Sequence, residues 1–151
     1  MKKIILMVIA AILLAIPAVA QNVNSNPDSI IGEYSTDRGG KKSKVRVTKN
    51  ENGTYTAQVF WVENPLDEKG NKRKDVKNPD KSLRNVDIDK VTLVNGLKYD
   101  PSSKTWGGTK IYDPSKGIKV NVKAQFENPD KLRLEGTIFG IGVTLYWNRI
   151  K

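Results

Sequence analysis

The side chains able to do chemistry in this chain are carboxylates, lysines, arginines, tyrosines and hydroxyls, because it contains neither His nor Cys. A Ser-His-Asp or Cys-His nucleophile cannot be built from that set. A zinc site would need an all-oxygen shell, and no disulfide can form. Acid–base work near neutral pH would fall to a strongly shifted Asp, Glu or Lys. No recognised constellation of those residues is present, so no catalytic residue, metal site or cofactor is expected. Asp67-Glu68-Lys69-Gly70-Asn71 lacks the spacing and terminal Glu of a calcium loop.

The densest charge lies in 64–82, a 19-residue polar stretch. Its cations Lys72, Arg73 and Lys74, with Lys69, Lys77 and Lys81 around them, could bind an anion or form a lid. Asp67, Glu68, Asp75 and Asp80 are interspersed, so a solvated loop is the plainer reading. The stretch has no aromatic ring for base stacking, and nucleic acid is not an expected partner. The net charge of +10 would still favour an anionic envelope component. Among the rings, Trp61, Trp106, Tyr112, Phe126, Tyr146 and Trp147 are candidates to line a pocket for a small apolar or amphipathic ligand, the first four before the others. Ordinary core packing competes with that role.

These residues sit on segments that alternate polar and apolar with a period of two. Tyr55, Ala57, Val59 and Trp61 form one such face, Leu132, Leu134, Gly136 and Ile138 another, and Val143, Leu145 and Trp147 a third. That period marks strands with one wet face, and it suits antiparallel sheets. Strands are expected near 30–36, 43–49, 53–63, 86–99, 103–112, 117–127, 130–139 and 142–150. Short turns rich in Asn, Asp, Pro and Gly link most of them. The expected fold is all-β, an antiparallel up-and-down β-barrel of about eight strands with one long polar loop. Closure removes the sheet edges and leaves room for side chains or one small ligand. In a closed barrel the first and last strands meet, so Arg149 should lie over Tyr34 or another ring there.

The domain begins near Ile30. Residues 21–29 are polar and read as a flexible lead-in. Ahead of them, Lys2-Lys3, an apolar run from Ile4 to Ile16, the helix breaker Pro17 and Ala18-Val19-Ala20 make up a cleavable secretory signal. Cleavage near Ala20-Gln21 would leave no membrane span, and would place the mature chain in the periplasm or outside the cell.

Several longer motifs point to a family. They are Asp75-Val76-Lys77-Asn78-Pro79-Asp80-Lys81-Ser82-Leu83-Arg84, Val94-Asn95-Gly96-Leu97, the stretch from Trp106-Gly107-Gly108 through Ile111-Tyr112-Asp113-Pro114 to Gly117, and a closing Leu132-Arg133-Leu134-Glu135-Gly136 with Trp147-Asn148-Arg149. In these the chain resembles a family of exported bacterial proteins, domain of unknown function 2147. The resemblance implies a lipocalin-like, calycin-type barrel, an exported location and no established activity. Tyr34 stands where the family often has Trp.

Overall fold

The structure, a computed structural model, describes residues 22–151; the secretory pattern of residues 1–20 lies outside them. Eight strands follow one another: β1 (Gly32–Arg38), β2 (Lys41–Lys49), β3 (Tyr55–Val62), β4 (Thr92–Asp100), β5 (Thr105–Asp113), β6 (Ile118–Asn128), β7 (Lys131–Ile138) and β8 (Ile141–Arg149). Each pairs antiparallel with its sequence neighbours, and β1 pairs with β8, closing the barrel in the order of the chain. No helix among the described residues is long and apolar enough to cross a membrane.

The tight turns follow from local chemistry. Gly39 and Gly40 both have positive φ between β1 and β2, as do Phe139 and Gly140 between β7 and β8. Two such residues in a two-residue link make the hairpin turn whose twist matches the strands. Phe139 holds this conformation, uncommon for a bulky residue, while 94% exposed.

Three expectations need correction. The stretch expected to begin a strand at 86 is a short 3-10 turn at Ile88–Lys90, and β4 starts only at Thr92. The lead-in, read as flexible, is folded from Asn22 onward: Pro27–Ile30 forms a 3-10 turn capped by the Asn26 side chain, and Asn24 is 2% exposed. The Asn24 side chain binds the backbone of Phe126, and Asp28 takes bonds from Lys49 and Tyr55. The alternation along β3 also breaks. Val45 faces Val59 but Lys44 faces Trp61, so Phe60 is an extra residue in the ladder. Such a bulge re-aims the side chains beyond it.

The core occupies one end of the barrel. Tyr34, Tyr55, Trp106, Phe126, Leu132 and Trp147 are all buried there. Trp106 meets Phe126 edge-on at 5.7 Å and tilts against Tyr99 at 5.1 Å. The lead-in lies across this end. Tyr99 donates to the Asn24 carbonyl at 2.6 Å, and Trp106 Nε1 donates to the Pro27 carbonyl at 3.0 Å.

The seam between β1 and β8 is short. Its strand pairing comprises Tyr34 with Arg149 and Ser35 with Asn148, extended by Ile150 N–H donating to the Glu33 carbonyl at 2.8 Å. Arg149 supplies what the short ladder lacks. Its guanidinium donates to the carbonyls of Ser29 (2.6 Å), Ile31 (3.1 Å) and Pro129 (3.1 Å). Its central carbon also lies 5.1 Å from the Tyr34 ring centre and 5.4 Å from that of Phe126. A Cβ on Gly32 would come within 2.5 Å of this guanidinium, so the position needs glycine. Burial pushes the Tyr34 hydroxyl up to about 12, against the opposing charge of Arg149. It stays protonated and donates to the Ile30 carbonyl at 2.7 Å.

Candidate functional site: the open end of the barrel

Above the packed end the strands enclose a cavity of about 930 Å³. Its walls are apolar side chains from the inward positions of the strands, among them Val62, Leu93, Ile111, Val120, Leu134 and Leu145. Val62 reaches the interior because the extra residue at Phe60 inverts the end of β3. The rim is charged, with Arg38, Lys41 and Lys42 from the first hairpin and Arg73, Lys74 and Lys77 from the long loop.

The loop that separates β3 from β4 folds as one polar wall of this cavity. Its anchor is Asp75, which is 2% exposed. One carboxylate oxygen accepts from the Tyr112 hydroxyl at 2.7 Å, the other from the Asn78 amide at 2.8 Å. Burial raises the Tyr112 hydroxyl well above its usual range, and the neighbouring Asp75 carboxylate adds to that. The phenol therefore remains a donor across the working pH range and acts as a lock rather than an acid. Arg84 Nε donates to the Asn78 carbonyl at 2.7 Å, and Lys77 Nζ donates to the Ser115 carbonyl at 2.8 Å. The loop also lies against the β5–β6 turn, where a Cβ on Gly117 would stand 2.4 Å from the Lys77 carbonyl oxygen. On the same turn Asp113 accepts from the Ser115 N–H and hydroxyl and pairs with Arg38 at 2.7 Å. Among the described residues no group of acidic side chains is arranged to hold a metal ion.

The sequence candidates do not gather in one place. Tyr112 lines the cavity, but Trp106 and Phe126 are packed in the floor below it and are absent from its walls. Trp61 is on the outer face, 40% exposed, with the Lys44 ammonium 5.0 Å from its ring centre. The three loop cations are also divided. Lys72 pairs with Asp89 and Lys74 with Asp87, both at 2.5 Å, leaving Arg73 at the rim without an acidic partner among the described residues. They do not form a shared anion site. Tyr34 and Arg149 do meet, at the closed end. Nothing in the sequence sets Asp75 apart from the other charges of the loop, since its composition is that of one more solvated carboxylate. Trp147, one of the candidate aromatics, does line the cavity.

Comparison with known proteins agrees with this architecture. No curated protein matches the chain. A solved structure with a TM-score of 0.61 and 26% identity, covering 81% of this chain and 83% of that one, is protein HP1028 from Helicobacter pylori, described as belonging to the lipocalin family. A family model described as "Uncharacterized protein conserved in bacteria (DUF2147)" matches residues 32–149. With all eight strands inside that match, the chain belongs to the DUF2147 family and has a lipocalin-like barrel.

Proposed function

We propose that this is a non-catalytic binding protein, exported from the cytoplasm, that holds a small apolar or amphipathic molecule in the open end of its barrel. The cavity carries the reading. Its volume lies within the range of about 300–1,000 Å³ typical of small-molecule sites, and its walls are largely apolar, as such sites require. The packed floor and the lead-in make it a cup with one mouth. The lipocalin family membership described for the neighbour favours a ligand-holding role.

Binding is tested by displacement of a fluorescent apolar reporter, N-phenyl-1-naphthylamine, with saturated ten-carbon chains. Leu145→Trp would fill part of the cavity. It should weaken reporter binding at least about tenfold while leaving the β-sheet circular dichroism unchanged. Equal affinity in the filled variant, or no binding by the wild-type chain, would count against the cavity as the site. Export rests on the pattern of the first twenty residues. It predicts that the mature protein, weighed by mass spectrometry, begins near Gln21; an intact Met1–Ala20 segment would refute it. The alternative of an envelope module that binds an anionic partner through its basic loop is less favoured, because Lys72 and Lys74 are already paired.

A further inference from the structure

The cavity floor carries two polar groups that the fold itself does not use. Trp147 Nε1 and Thr36 Oγ1 are both buried and have no hydrogen-bond partner in the protein. Trp147 is 2% exposed, and both residues line the cavity. Their placement follows from the seam. Tyr34 faces Arg149 and Ser35 faces Asn148, so the same register carried one step further sets Thr36 opposite Trp147. Strand alternation turns both inward, as it does Tyr34. The β1–β8 ladder stops one step short of this pair, while Thr36 faces Ser43 of β2 and Trp147 faces Leu132 of β7, neither of which bonds the hydroxyl or the indole N–H.

A buried indole N–H or hydroxyl left without a partner costs about 1–3 kcal/mol, and native folds rarely leave such groups unpaired. Elsewhere in the same end the rule is kept: Trp106 Nε1 and the Tyr34 hydroxyl each reach a carbonyl. Two other buried oxygens also lack a hydrogen bond, but both belong to ion-paired carboxylates, Asp113 with Arg38 and Asp89 with Lys72; the two neutral groups left unpaired belong to residues that line the cavity.

We propose that Trp147 and Thr36 form the polar seat of the ligand site, and that they bind a neutral hydrogen-bond acceptor, a carbonyl or hydroxyl oxygen, at the buried end of an otherwise aliphatic chain. This rests on the cavity being the binding site. The indole can only donate, and the threonine hydroxyl can donate or accept, so a ketone, ester or alcohol oxygen suits the pair. A carboxylate does not, because the cations around it are committed. Arg149 gives its nitrogens to three backbone carbonyls. Arg38, two residues beyond Thr36 on the same face of β1, is paired with Asp113. An anion at the floor would be buried without a counter-charge, which is strongly unfavourable. The apolar walls above the seat take the hydrocarbon tail.

The test compares decane, 2-decanone and decanoate as competitors of N-phenyl-1-naphthylamine, in the wild type and in Trp147→Phe and Thr36→Val. The readout is the ratio of ketone to alkane affinity, which cancels general changes in the cavity. One hydrogen bond of ordinary strength corresponds to a loss of about three- to tenfold in that ratio in Trp147→Phe, with a smaller loss in Thr36→Val. An unchanged ratio in both variants would overturn the seat while leaving the cavity as a plain apolar site. Dependence on Trp147 for decanoate but not for the ketone would overturn the neutral acceptor. Failure of all three chains to compete in the wild type would instead strike at the cavity reading itself.

Discussion

Replacing Arg149 with Ala should lower the free energy of unfolding by about 3 kcal/mol, read from urea denaturation with an unchanged slope. The size reflects the work of the guanidinium. It makes charged hydrogen bonds to three carbonyls on two separate stretches, the lead-in and the β6–β7 turn, and lies against two rings. Charged donors are worth more than neutral ones, and the carbonyls left behind are partly shielded from water. Arg149→Lys separates the contributions. An ammonium keeps the ring contact but cannot fork to three acceptors, so a loss of about 1–2 kcal/mol is expected there. An Arg149→Ala protein within about 0.5 kcal/mol of wild type would show that the two-pair ladder closes the barrel unaided.

Asn24→Leu should cost a comparable amount, about 2–4 kcal/mol, although it alters a residue in a segment whose composition looks disordered. Asn24 Oδ1 accepts from the Phe126 N–H at 2.8 Å and its amide donates to the Phe126 carbonyl at 2.9 Å, both bonds buried. The demand arises on β6. Its ladder with β5 reaches Ala124 opposite Trp106, and β5 begins only at Thr105. The backbone of Phe126 thus extends past its neighbour. One side-chain amide stands in for the missing strand, donating and accepting as a peptide group would. Leucine matches the size of Asn but leaves both backbone groups unpaired. Asn22→Ala, at an exposed position of the same segment, should fall within about 0.5 kcal/mol of wild type. Equal small effects at both positions would remove the lead-in from the fold's stability.

The barrel was legible because its evidence is local. Period-two alternation and turn residues locate strands without knowledge of the partner strand, and a meander joins each strand to the next. The features that could not be read depend on partners far along the chain. Trp61 was placed inside by an alternation that holds from Tyr55 to Val59 and then fails at Phe60, and no residue type announces that extra position. Val86 and Ile88 alternate like a strand, yet Asp87 bridges back to Lys74 and the chain tightens into a 3-10 turn instead. Asp75 has the composition of a solvated loop residue until Tyr112, on a strand beyond the loop, supplies its partner. Asn24 finds its own 102 positions away. The candidate site was therefore legible only as a class, a barrel interior, with Tyr112 and Trp147 the two of the six candidate aromatics in its wall.

The shortness of the β1–β8 seam also governs the order in which the chain assembles. Most ladders join strands separated by a tight turn, so they can form early at little loss of chain entropy. The β3–β4 ladder must first close the long loop. The seam joins Ser35 to Asn148, 113 positions apart, and it adds few bonds in return. Contacts that distant slow folding. Closure should then be the final event, set by Arg149 finding its carbonyls, and the reverse step should be the first motion of unfolding. Amides of β1 and β8 at the seam would exchange with solvent sooner than those of β6 and β7, whose ladder runs from Val122 opposite Gly136 to Asn128 opposite Lys131. The residues at the end of that seam are Thr36 and Trp147, so the least durable part of the wall adjoins the floor of the cavity.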